Sequence, residues 1–286
     1  MSQRGTLYIV ATPLGNLEDM SFRAVNTLKT VQLIYAEDTR HSQPLLNSFQ
    51  IKTPLRSLHE HNELERREEV ISKLKEGLDL AFISDAGTPL ISDPGYVLVK
   101  TVGEHGFSVV PIPGPSALIT ALCVSGLPTD RFLFVGFLPP KTQARQHALE
   151  ALKETTCTLI FYESCHRVVD TLKDCVAVFG PQRPFVVARE LTKTFETIYR
   201  GTTEDALNWI SKDPHQQKGE FVLLVGGYEI PQGIITPQGE QLLKRLVKEL
   251  PLKKASQITA DITGLKKNFL YEYALSHFLP SDPEES

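Results

Sequence analysis

Thr6-Leu7-Tyr8-Ile9-Val10-Ala11 runs directly into Thr12-Pro13-Leu14-Gly15-Asn16, and the same pattern recurs twice. Leu80-Ala81-Phe82-Ile83-Ser84 leads into Asp85-Ala86-Gly87-Thr88-Pro89, with Asp93-Pro94-Gly95 just beyond. Phe107-Ser108-Val109-Val110 leads into Pro111-Ile112-Pro113-Gly114-Pro115-Ser116. Each apolar run has the length of a buried strand and stops at a Gly- and Pro-rich turn. In a parallel sheet the three turns share the carboxyl edge, where open α/β sheets bind ligands. Gly and Pro there let backbone groups approach a ligand while holding a fixed shape. A small-molecule site is expected on these grounds alone.

Working outward, the first 125 residues alternate strand and helix. Ser21 opens a helix to Thr30 with Phe22, Val25 and Leu28 on one face, and Leu33 to Ala36 follows as a short buried strand. Asn62 and Glu65 have capping-box spacing ahead of a helix striped by Val70, Ile71 and Leu74 and stopped by Gly77. Strands separated by helices imply right-handed βαβ units and a parallel sheet. Ser125 to Asp130 reads as a hinge. Beyond it, Phe185 to Arg189 and Phe195 to Tyr199 lie too close for a crossover helix and are expected to pair antiparallel, making the second sheet mixed. Three amphipathic stretches follow from about residue 235, the second stopped by Gly264. The expected organisation is an α/β domain over 1–124, a second α/β domain over 128–230, and a small helical module over 235–280.

Composition narrows the function class. The chain has 286 residues, 41% hydrophobic and 22% charged, with a formal net charge of −4. That is ordinary for a globular protein and excludes one that is basic throughout. No apolar run approaches the roughly 20 residues of a membrane helix, and the N-terminus does not read as a signal peptide. Cys123, Cys157, Cys165 and Cys175 form no C-x-x-C pair, so reduced thiols in the cytosol are expected and no metal. His59 and His61 bracket Glu60, a weak metal pattern. The first turn lacks both G-x-G-x-x-G and G-K-[ST], which disfavours standard hydride-transfer and phosphoryl-transfer enzymes.

Seven stretches in fixed order carry a resemblance. They are Pro13-Leu14-Gly15-Asn16-Leu17, Ala36-Glu37-Asp38-Thr39-Arg40-His41, the run from Ser84 to Gly95, Pro113-Gly114-Pro115-Ser116-Ala117, Phe161-Tyr162-Glu163-Ser164-Cys165-His166-Arg167, Ala188-Arg189-Glu190-Leu191-Thr192-Lys193 and Lys218-Gly219-Glu220. Together they closely resemble the ribosomal RNA small subunit methyltransferase I family, of the tetrapyrrole methylase class. The resemblance implies two α/β domains with S-adenosylmethionine in the cleft between the sheets. It implies methyl transfer to the ribose 2′-hydroxyl of one cytidine in the decoding centre of 16S RNA, a homodimer and a cytoplasmic location.

On that reading the cofactor contacts are Pro13, Leu14, Gly15, Ser84, Asp85, Ala86, Gly87, Thr88, Pro89, Ser116, Ala117, Tyr162 and Ala188. Asp85 has two readings, a contact to the cofactor or an Asx-turn capping Gly87. A ribose hydroxyl is a weak nucleophile, so a positioned base is useful. Asp38 and Glu163 each follow a buried strand and are the leading candidates; pairing with Arg40 and Arg167 is the competing reading. Arg40, His41, Arg167 and Arg189 are candidate RNA contacts, the arginines equally so as structural ion pairs. Lys253, Lys254, Lys266 and Lys267 make the C-terminal module locally basic, suited to phosphate contact or simply a solvated face. A small-molecule methyltransferase of the same fold and a non-catalytic RNA-binding factor are the alternatives.

Overall fold

The computed structural model describes residues 4–59, 62–229 and 235–278. Contacts divide the chain into a unit Met1–Tyr228 and a unit Glu229–Ser286. In the first unit, short apolar runs become strands because both faces find helices to cover them. The opening half runs β1 (Thr6–Val10), α1 (Phe22–Thr30), β2 (Leu33–Ala36), α2 (Thr39–Ser48), β3 (Leu55–Ser57), α3 (Glu63–Lys75), β4 (Leu80–Ile83), α4 (Tyr96–Glu104) and β5 (Ser108–Ile112). All five strands are parallel, in the order β3-β2-β4-β1-β5. Leu7, Tyr35 and Phe82 face α3 and α4, whereas Val10, Ile34 and Ile83 face α1 and α2. β4, β1 and β5 are neighbours, so the three Gly- and Pro-rich turns stand side by side.

Local details depart from the expected ones. Phe22 is exposed, and the buried stripe of α1 is Ala24 and Leu28. Asn62 makes no side-chain cap on α3; its Oδ1 instead accepts from the His59 N–H at 2.9 Å, outside the helix.

The second half runs α5 (Ala117–Ser125), β6 (Phe132–Phe137), α6 (Thr142–Glu150), β7 (Thr158–Ser164), α7 (Val168–Phe179), β8 (Pro184–Arg189), β9 (Thr197–Thr202), α8 (Thr203–Lys212) and β10 (Glu220–Val225). The sheet order is β6-β7-β10-β8-β9; β6 and β7 are parallel and the other pairs antiparallel, including β8 with β9. Helices α6, α7 and α8 cover one face. The other face is covered by α5, through Leu118, Ala121 and Leu122 against Ile160, Val186, Ala188 and Val222. A boundary at residue 124 therefore does not separate two packing layers, because α5 belongs to the core of the second sheet.

Gly227 and Gly5 fit where backbone carbonyls of Thr156 and Leu78 leave no room for a Cβ. The Arg145 and Asp174 side chains pair at 2.5 Å, with only 2% of Arg145 exposed. Gln146 donates to the second Asp174 oxygen at 2.7 Å, and Arg145 also donates to the Pro140 carbonyl.

The second unit is built from α9 (Pro237–Glu249), α10 (Leu252–Thr263) and α11 (Lys267–Phe278) around Leu243, Ala255, Leu270 and Ala274. Gly264 takes φ +73°, which ends α10 and turns the chain into α11. The acidic tail from Pro280 lies outside the described residues.

Arg145→Ala leaves Asp174 buried without its cation, and it is expected to lower the unfolding free energy by about 3–5 kcal/mol in urea titration. An unchanged midpoint would show that the pair is dispensable.

Candidate active site

The three turns are tied together before any ligand is considered. Thr12 N–H donates to the Gly87 carbonyl at 2.9 Å, and Gly87 N–H donates back to the Thr12 carbonyl at 3.0 Å. The Thr88 hydroxyl donates to the Pro115 carbonyl at 2.8 Å. Gly87 holds φ +77°, and a Cβ there would stand 3.1 Å from Leu14 Cδ2. Only glycine adopts this backbone at no steric cost. Gly87 N–H is thus spent on Thr12, which removes the Asx-turn reading of Asp85. Asp85 Oδ1 instead accepts from the Asp38 N–H at 3.2 Å, linking the β4 turn to the end of β2.

This edge and the second sheet line an open cavity of about 240 Å³. Of the expected cofactor contacts, Leu14, Asp85, Ala86, Gly87, Thr88, Ser116, Ala117, Tyr162 and Ala188 line it. Pro13, Gly15, Ser84 and Pro89 are not among its lining residues. Gly15 is covered by the Lys193 side chain, which occupies the place of a Cβ. Ser84 is buried beneath the turn. Ile91, Ser92, Asp93, Leu191 and Glu220, which lie in the quoted stretches but are not among the expected contacts, also line the cavity, as do Phe137, Phe221 and Val222.

Asp93 has the most altered environment of the cavity acids. Burial raises its carboxyl to about 6, against a hydrogen bond with Ser84, and the nearby Asp85 charge raises it further. Burial also raises the Tyr162 hydroxyl, which accepts the Leu118 N–H at 3.2 Å and so satisfies a first-turn amide of α5.

Asp38 and Glu163 have other tasks. Asp38 caps α2 by accepting the Arg40 N–H and pairs with the Arg40 guanidinium at 2.8 Å, which holds its carboxyl down at about 2. It does not line the cavity. Glu163 does, but only 3% of it is exposed. Its oxygens accept from Arg167 at 2.8 Å, the Ser164 N–H at 2.7 Å and the Thr171 hydroxyl at 2.6 Å. The pairing of each carboxylate with its neighbouring arginine is the arrangement present. Glu60 and His61 lie outside the described residues; no metal-binding cluster of His, Cys, Asp or Glu occurs among the described ones.

Residues 6–207 match the family of tetrapyrrole (corrin/porphyrin) methylases, and residues 234–277 match the RsmI C-terminal HTH domain. A protein of Haemophilus influenzae named ribosomal RNA small subunit methyltransferase I is 52% identical, over 96% of this chain and 97% of its own. Its namesake in Escherichia coli O157:H7 is 51% identical over 96% of each chain. The chain belongs to the ribosomal RNA small subunit methyltransferase I family. Among solved structures, uroporphyrin-III C-methyltransferase of Thermus thermophilus complexed with S-adenyl homocysteine shares the fold. It has a TM-score of 0.53 at 18% identity and covers 78% of this chain and 97% of its own.

For a member of this family the basic residues are candidate RNA contacts, and their surroundings differ. Arg189 is not available: its guanidinium donates to the carbonyls of Lys218 at 2.7 Å, Phe195 at 3.2 Å and His215 at 3.0 Å, and it is buried. It ties the β8 and β10 approaches together. Arg167 is partly exposed but engages Glu163 and the Leu138 carbonyl. Arg40 and His41 are exposed at the start of α2. Lys253, Lys254, Lys266 and Lys267 are all exposed; the first pair stands in the first turn of α10, the second where the chain enters α11 after Gly264.

Arg189→Met should remove all three carbonyl contacts and lower unfolding stability by about 2–3 kcal/mol. Weaker RNA binding at unchanged stability would instead make Arg189 a substrate contact.

Proposed function

We propose that this chain transfers the methyl group of S-adenosylmethionine to the ribose 2′-hydroxyl of a cytidine in 16S RNA of the small ribosomal subunit. The observation that carries the reading is the match along nearly the whole chain to relatives named for that RNA, including the C-terminal segment 234–277. The cavity suits the cofactor. S-adenosylmethionine has an apolar-faced adenosine and a cationic sulfonium and ammonium. Leu14, Ile91, Ala188, Leu191 and Val222 offer apolar walls, and Asp85 and Asp93 offer negative charge. The tied turns present their backbone at a fixed spacing, with Gly87 giving the close approach.

When bound, the cofactor supplies an electrophilic methyl group. The chain's own contribution is placement. Rigid turns and a walled cavity hold the acceptor oxygen in line and exclude competing water, the largest rate effect available to a direct displacement. Arg40, His41 and the four C-terminal lysines are proposed to hold phosphates by salt-dependent contacts. A homodimer is inferred from the class. Exposed Ile119 and Val124 on α5 and Phe132 and Leu133 on the edge strand β6 support it as apolar surface. A cytoplasmic location is inferred from the ribosomal acceptor.

The deciding experiment transfers labelled methyl to small ribosomal subunits from a strain lacking this protein and maps the product by nuclease digestion. Label in 2′-O-methylcytidine is expected. Transfer to a tetrapyrrole and none to RNA would favour the small-molecule reading.

A second outcome concerns pH. Below about pH 6 Asp93 takes up a proton, and the cavity loses a negative charge facing a cationic ligand. Affinity for S-adenosylmethionine should rise between pH 5 and 7.5 in calorimetry, and Asp93→Asn should flatten the rise and weaken binding at pH 7.5. The raised carboxyl also means that the fold loses stability as pH climbs from the unfolded value near 4 through 6, so Asp93→Asn should be more stable at pH 7.5. An identical pH profile for the variant would exclude Asp93 from the binding site.

A further inference from the structure

Strand β6 contains a bulge that changes which way one aromatic side chain faces. Phe134 pairs with Ile160 of β7; the register then shifts, so that Gly136 pairs with Phe161 and Phe137 with Tyr162. In an unbroken strand Phe134 and Phe137, three residues apart, point to opposite faces. The extra residue, Val135, packs with the core under α6, α7 and α8. Phe137 is thereby placed on the same face as Ile160 and Tyr162, the face that carries the cavity. The bulge depends on Gly136, whose φ is +76° and whose missing Cβ would stand 3.3 Å from Ser92 Oγ. Bulges beside active sites commonly re-aim a side chain.

Phe137 gains little burial from this placement. It lines the cavity, yet 54% of it remains exposed. The ring meets Tyr162 in a T-shaped pairing, 5.7 Å between centroids and 66° between planes. Tyr162 is itself held by Phe134, at 4.8 Å between centroids, and by the Leu118 N–H. A ring anchored by an aromatic neighbour and more than half exposed offers a stacking surface. Methyl transfer to a ribose hydroxyl needs one nucleotide brought to the cavity and held, and unpaired bases are held by stacking on aromatic side chains.

We propose that Phe137 is the stacking platform for the nucleobase of the nucleotide being methylated. It is a substrate-positioning residue that the β6 bulge exists to present. This rests on the RNA-methyltransferase reading above. Stacking on an aromatic ring has an alanine-substitution effect of about 10- to 100-fold per base.

The test compares wild type, Phe137→Ala and Phe137→Trp in labelled-methyl transfer to small subunits, with S-adenosylmethionine affinity measured by calorimetry. For Phe137→Ala, kcat/KM toward the subunit should fall about 10- to 100-fold. Cofactor affinity and thermal midpoint should stay within about twofold and 2 °C, as expected for an exposed side chain. Phe137→Trp should restore most of the rate. Unchanged methylation by Phe137→Ala would overturn the proposal and leave the RNA reading standing. So would a loss confined to cofactor affinity, which would place the ring against the cofactor instead. Failure of the wild type to methylate subunits, with cofactor still bound, would overturn both.

Discussion

The pair of backbone hydrogen bonds between Thr12 and Gly87 is the constraint on which the site depends. It joins the turn after β1 to the turn after β4, two strands that already neighbour each other in the sheet. Thr88 then extends the tie to Pro115, after β5. Three separate loops become one surface whose shape does not wait for a ligand. Such a surface holds its geometry in the absence of substrate, which is how an enzyme relying on placement lowers its barrier. The requirement falls on one residue, because Gly87 takes a left-handed backbone against Leu14.

Lys193 adds a second level of organisation. Its stem lies over Gly15, and its ammonium donates to Glu190 at 3.0 Å and to Glu220 at 3.1 Å. The first turn of one sheet is thus connected to the loop and last strand of the other, across the rim of the cavity. Glu190 and Thr192, flanking Leu191, both hold left-handed backbones without being glycine. Strain of this kind persists where surrounding contacts over-determine it, and here those contacts include Arg189 and Lys193.

Much of this was legible in the sequence for definite reasons. Leu33 to Ala36 and Leu80 to Ile83 are buried on both faces, so their apolar runs are unbroken and read as strands. The short spacing between β8 and β9 excluded a crossover and so determined their antiparallel pairing. Helix α2 was hidden because its sequence is polar and carries Pro44 internally, and β3 because it has three residues at a sheet edge. The β6 bulge leaves no trace in periodicity, since Phe134, Val135 and Phe137 are all apolar whichever face they take. Asp93 stands in one of the quoted turns, but its raised carboxyl comes from burial in the folded chain, which the local sequence does not show. Arg189 leaves an RNA contact and a structural role equally open in the sequence, because its carbonyl partners on Lys218 and His215 follow nearly thirty residues later.

The order of strands in the second sheet also bears on how the chain is made. Its middle strand, β10, comes last, and both β7 and β8 wait for it. Helix α5, emitted just after the first sheet is complete, is apolar on the side that needs Ile160, Val186 and Val222. During synthesis α5 leaves the ribosome about a hundred residues before its cover exists. The first sheet can form early, yet the cavity cannot, because its second wall is assembled only when residue 225 has emerged. A nascent chain stopped in between displays a bare hydrophobic helix, the kind of surface that chaperones hold until the remaining strand arrives.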